Sequence, residues 1–123
     1  MLGESKGFSS FAVPDVAAAK AFYEGVLGLR VREEMGGLVL DLTGGTTVFA
    51  YPKPDHEPAV FTILNFPVED VESTVDRLAA AGVVFEQYPE LGTNEKGIAT
   101  MEQGPTIAWF RDPAGNILAV HEE

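Results

Sequence analysis

The chain has 123 residues, 46% hydrophobic and 22% charged, with no cysteine and only two histidines. That balance fits a single globular domain with one good core; it excludes a disordered chain, a disulfide framework, a thiolate nucleophile and a cysteine-based zinc site. Eight Lys and Arg against 19 Asp and Glu leave a net charge of −11 spread along the chain, which argues against nucleic-acid partners and favours cationic ligands.

In chain order, the first legible element is an alternating apolar run that ends in "FAVPDV" (Phe11 to Val16). Asp15 is placed to cap a helix, its carboxylate accepting from free N–H groups of the first turn. Val16, Ala19, Phe22, Tyr23 and Val26 then recur at helical spacing, and Gly28 closes the helix. Three β-rich segments follow: "LRVREE", "GGLVLDL" and, after a Gly-Gly turn, "TTVFAY".

The same order then repeats. "FPVEDV" (Phe66 to Val71) returns 55 residues after "FAVPDV", with Asp70 as the second cap. Val71, Val75, Leu78 and Ala79 form the apolar stripe of a second helix that stops at Gly82. The segments "VVFEQY", "TIAWFRD" and "ILAVHE" complete the second set of strands, the last two joined by a Pro-Ala-Gly-Asn turn. The turn glycines Gly45 and Gly115 lie 70 apart, so the second half carries about 15 additional residues, assigned to a long loop over residues 88–105. A loop of that length is more often a pocket rim or lid than an idle connection.

These readings give an α+β fold of two tandem βαβββ modules, residues 1–57 and 58–123, within a single domain. One module cannot cover both faces of its sheet. Two copies are therefore expected to form a curved, mostly antiparallel eight-stranded open barrel around a cleft, with the helices outside. No apolar run approaches the roughly 20 residues that cross a bilayer, and no basic-then-apolar leader opens the sequence. A soluble cytoplasmic protein with no membrane partner is the expectation.

At this point the residues resemble a known family. "FAVPDVAAAKAFYEGVLGLRV", "VEDVESTVDRLAAAGV" and "FRDPAGN" are similar to the vicinal oxygen chelate superfamily of glyoxalases, extradiol dioxygenases, epimerases, fosfomycin-resistance enzymes and bleomycin-binding proteins. In its metal-dependent members the resemblance implies four His or Glu ligands, two per module, holding a divalent metal that chelates adjacent substrate oxygens. Carried onto this sequence from the "V-x-D" and "D-P-x-G-N" elements, three of those places are Phe8, Ile63 and Ala119, and the internal repeat places the fourth at Phe49. None of these side chains has an oxygen or nitrogen donor, so no metal and no other cofactor is expected.

With donors gone, the inward faces become a greasy wall. Alternation puts Phe8 and Ser10 on the first strand, Phe49 and Tyr51 on the fourth, Phe61, Ile63 and Asn65 on the fifth, and Ala119 and His121 on the last. Trp109 stands beside the long loop as a ring on which a flat ligand can stack. No Ser elbow, phosphate loop or paired acid and base accompanies them. The reading is a metal-independent small-molecule-binding protein for a hydrophobic, aromatic or cationic ligand. The resemblance to the bleomycin-binding subgroup adds a homodimer. The alternatives are a glyoxalase- or dioxygenase-like enzyme with relocated ligands (His56, Glu57 and His121), a metal-free lyase or isomerase, and an interaction module whose cleft is filled.

Overall fold

The two aspartates start the two helices, and a computed structural model describing residues 1–123 shows how. Asp15 Oδ1 accepts from Ala18 N at 3.1 Å, and Asp70 Oδ1 accepts from Ser73 N at 3.3 Å. Both residues are extended at the cap, as N-caps are. The chain divides into two compact units, Met1–His56 and Glu57–Glu123, each built around one four-stranded sheet.

The first unit runs from a 3-10 turn at Leu2–Glu4 through β1 (Ser9–Val13), α1 (Val16–Lys20), β2 (Arg30–Glu34), β3 (Gly37–Asp41) and β4 (Thr47–Pro52). Strand order is β1-β4-β3-β2, with β1 parallel to β4 and the other pairs antiparallel. The expected single helix is two pieces: α1 passes directly into a π-helical segment, Ala21–Val26. Leu27 N reaches back five residues to Phe22 O, a wider loop than an α-helix makes. Gly25, a weak helix former, lies within this segment. Gly28 then ends it at φ 75°, a left-handed conformation that a glycine adopts without strain.

One face of this sheet is core. Phe11, Val13, Leu38, Leu40, Val48 and Ala50 are buried with Ala19 and Tyr23 of the helical segment, and Phe11 and Tyr23 meet ring to ring at 5.6 Å. Burying each Val, Leu or Phe side chain among them contributes about 1.5–3 kcal/mol.

The second unit repeats the plan: β5 (Thr62–Val68), α2 (Val71–Ala80), β6 (Ile98–Thr100), β7 (Thr106–Arg111) and β8 (Ile117–Glu122), in the order β5-β8-β7-β6. Again the first and last strands pair in parallel and the rest antiparallel. α2 packs on β7 and β8. Val71 and Val75 are buried and Leu78 is half-buried, but Ala79, expected in the stripe, faces solvent. The strands thus make two mixed, mainly antiparallel sheets and no closed barrel, as two βαβββ modules.

Two expectations about the second unit are corrected. "VVFEQY" does not form a full strand: it reaches the sheet only through a bridge between Phe85 and Phe110, with Glu86 N donating to Trp109 O at 2.8 Å. The chain then leaves the sheet and returns as β6, which lies inside the segment assigned to a loop over 88–105. Most of the added length therefore interrupts the second strand instead of following it. The remainder lengthens the β6–β7 hairpin, where Thr100 pairs with Thr106. The physical reason is that β7 supplies hydrogen-bonding partners at both ends, so the strand can be split without leaving β7 unpaired.

Alternation along β5 is also broken. Thr62 pairs with Ile117 and Leu64 with Leu118, leaving Ile63 as the extra residue of a bulge. The expected shared face of Phe61, Ile63 and Asn65 rested on an unbroken period of two. On β5 it is Thr62 and Asn65 that stand opposite the β8 residues Ile117 and Ala119.

Candidate functional site

The face of the first sheet opposite its buried side is read directly from the register. Ser10 lies opposite Phe49, Phe49 opposite Val39, and Val39 opposite Arg32, so these four residues form one row across β1, β4, β3 and β2. Tyr51 is two residues beyond Phe49 on β4, and the two rings stack with centroids 6.4 Å apart. Phe8 immediately precedes β1 and is 65% exposed.

A recess of about 300 Å³ opens here. Its apolar wall comes from Phe8, Met35, Val39 and Phe49, and its polar atoms from Thr47, Arg32 and Glu34. Gly37 allows one part of this wall to form. A β-carbon at that position would lie 2.4 Å from the Ala50 carbonyl oxygen and 3.0 Å from Phe49 Cζ, so the Phe49 ring occupies space that any larger residue would take.

Charge gathers at one side of the recess. Arg32 grips Asp41 in a two-pronged contact, Nε to Oδ2 at 2.7 Å and Nη2 to Oδ1 at 3.1 Å, and its Nη1 also donates to Glu34 Oε2. The hydrogen bond with Arg32 holds the Asp41 carboxyl below the usual carboxylate range, and the same bond raises the guanidinium. Both groups are exposed, so the pair orients side chains more than it stabilises the fold. Arg30 stands opposite Asp41 in the β2–β3 register and adds its charge, so two carboxylates, Glu34 and Asp41, face two guanidinium groups.

The metal expected of the fold family does not fit these residues. Phe8 and Phe49, which the resemblance puts at two of the ligand places, line the recess as rings. Ile63 sits in the β5 bulge, and Ala119 is fully buried on β8. No group of three or more His, Cys, Asp or Glu side chains is arranged to hold a metal ion. His121 has its Nδ1 3.2 Å from the Glu122 carbonyl oxygen, and the Nε2 of His56 is buried without a hydrogen-bond partner.

The second unit's sheet carries its own set of the sequence-predicted residues. Asn65, Ala119 and Trp109 stand in one row across β5, β8 and β7, with His121 two residues beyond Ala119. Trp109, Ala119, Ala99 and Ile117 form a buried cluster against which Tyr88, Met101 and Ile107 pack. Tyr88 meets Trp109 edge to face at 5.2 Å. Phe61 is exposed.

Reading the sequence alone brought Phe8, Ser10, Phe49 and Tyr51 to one face, but missed Thr47 on β4 and Arg32, Glu34, Met35 and Val39. The last four belong to the β2–β3 hairpin, where Glu34 pairs with Gly37 across the two-residue turn Met35-Gly36. The "EEMGG" stretch was the available signal, since glycine after a strand marks a tight turn that fixes which residues face one another.

No curated protein matched the sequence. Solved structures did. A lactoylglutathione lyase from Agrobacterium tumefaciens is 22% identical, with a TM-score of 0.69 over 96% of this chain and 93% of that one. TnmS3, an antibiotic binding protein from a Streptomyces species, is 22% identical, with a TM-score of 0.67 over 97% of each chain. The fosfomycin resistance protein FosX from Listeria monocytogenes is 13% identical, with a TM-score of 0.73 over 98% of this chain and 93% of that one. At these identities the likeness speaks for the fold alone. The sequence model of one family matches residues 8–120, nearly the whole chain. The chain therefore belongs to the Glyoxalase/Bleomycin resistance protein/Dioxygenase superfamily.

Proposed function

We propose that this protein binds a small apolar or aromatic molecule without a metal ion, in the recess on the open face of its first sheet. The observation that carries this reading is that two positions where the family's chemistry calls for metal donors hold Phe8 and Phe49, and both rings line that recess. Tyr51, stacked on Phe49, extends the aromatic surface, and Ser10 and Thr47 are the neighbouring polar handles. The net charge of −11 on the chain favours a positive group on the ligand over a negative one. Antibiotic binding by a protein of similar fold, TnmS3, supports binding as a use of this architecture. A cytoplasmic homodimer is part of the proposal and rests on the resemblance and composition.

Two measurements test it. Protein purified without chelator and without a metal-affinity column is expected to carry far less than one transition metal per chain. Titration with the neutral aromatic dye N-phenyl-1-naphthylamine is expected to show saturable binding, weakened about tenfold or more by Phe49→Ala. One metal per chain would overturn the metal-free reading and favour an enzyme. Absence of dye binding would remove the recess as a ligand site.

A further inference from the structure

We infer that Met35 is a ligand-gripping residue of the recess, kept at its turn against the preference of the backbone so that a thioether can close on a flat aromatic group. The inference rests on the proposed binding reading and adds a specificity determinant to it.

Met35 is the only non-glycine residue in the chain with a positive φ, at 53°. With Gly36 at 78°, both central residues of the two-residue turn between Glu34 and Gly37 are left-handed, the arrangement that favours asparagine, aspartate or glycine. An unbranched apolar residue gains nothing locally from that conformation, because its β-carbon crowds the following carbonyl. Nor does packing compensate, since Met35 is 92% exposed. An exposed apolar side chain in a strained conformation lacks both of the usual structural reasons for its presence.

Its position supplies another reason. Met35 lines the recess together with Phe8 and Phe49. Gly37, the residue that closes the turn, is where the Phe49 ring makes its close approach, so the turn and the ring are adjacent. A methionine side chain has three rotatable bonds and a polarisable sulfur that makes favourable contacts with aromatic rings. Extended into solvent without a ligand, it can fold down when a ring settles against Phe49. Ordering it then costs rotamer freedom but buries apolar surface, which makes its contribution sensitive to ligand shape.

The test is Met35→Asn, read by N-phenyl-1-naphthylamine titration and thermal unfolding, beside Met35→Leu and Phe49→Ala. Asparagine suits the turn, so the melting temperature is expected to hold or rise by about 3 °C. Dye affinity is expected to fall about fivefold or more, while Met35→Leu, which keeps the apolar bulk but lacks the sulfur, falls by a smaller amount of about two- to threefold. Unchanged affinity in Met35→Asn, with binding lost in Phe49→Ala, overturns this inference and leaves the recess as a binding site. A fall in melting temperature together with lost affinity in Met35→Asn overturns it too, because the turn and not the thioether then explains the loss. A parent protein that does not bind the dye overturns both readings.

Discussion

Asp112 shows how much one residue can organise. Its Oδ1 accepts from Ala114 N at 2.9 Å and Asn116 N at 2.8 Å, and its Oδ2 accepts from Asn116 Nδ2 at 3.0 Å. Asp112 and Asn116 are both nearly buried. Gly115, at φ 89°, completes the turn and sends its N–H to Asp112 O at 3.0 Å. Replacing Asp112 by Ala leaves buried donors without acceptors, so Asp112→Ala is expected to cost about 2–4 kcal/mol, measured by urea unfolding. Asp112→Asn keeps one acceptor oxygen and should cost distinctly less. The "DPAGN" run that resembles the family signature is thus a self-contained turn. The strand it introduces, β8, carries Ala119 opposite Trp109.

At the scale of elements, the β2–β3 hairpin and the interrupted strand of the second unit decide most. The hairpin brings Arg32, Glu34 and Met35 to the recess, and Gly37 makes room for the Phe49 ring. Gly37→Ala would press a methyl group against the Ala50 carbonyl and that ring. It is expected to lower stability by about 1–3 kcal/mol and to weaken dye binding, with thermal unfolding and titration as the two readouts. In the second unit, the excursion between Phe85 and β6 is tied on two sides. Tyr88 packs on Trp109, and Lys96 Nζ lies 3.0 Å from Asp76 and 3.6 Å from Glu72 on α2. Hydrogen bonds to these carboxylates, chiefly Asp76, hold the lysine above its ordinary range. The segment read as a pocket rim or lid is thus anchored to the sheet and to the helix.

At the scale of the whole molecule, each unit is about 60 residues, a length at which an isolated domain buries only about 60% of its unfolded surface and is marginal. We therefore propose that the chain is one cooperative domain. Trp109, in the second unit, and far-ultraviolet circular dichroism, which reports on both units, should give one coincident urea transition. Separate transitions would make the units independent domains. The comparisons speak at this same scale, since lyase, resistance and antibiotic-binding proteins share the fold and the site must decide among them.

The sequence by itself determined the two-fold repeat, both helix caps, the glycine stops and the closing hairpin, because each depends on neighbours a few residues away. It also determined that the family's metal places lack donors, which is a matter of side-chain identity. Tertiary structure decided the rest. The bulge at Ile63 shows only when β5 lies against β8, since register belongs to a pair of strands and not to either one. Strand β6, three residues long, is too short to carry a period of its own and exists because β7 offers it partners. Met35 reads as an ordinary apolar residue until the hairpin holds it left-handed and exposed at the recess. Local chemistry is written along the chain, whereas which side chains meet depends on pairing between distant segments, and that pairing is settled only in the folded protein.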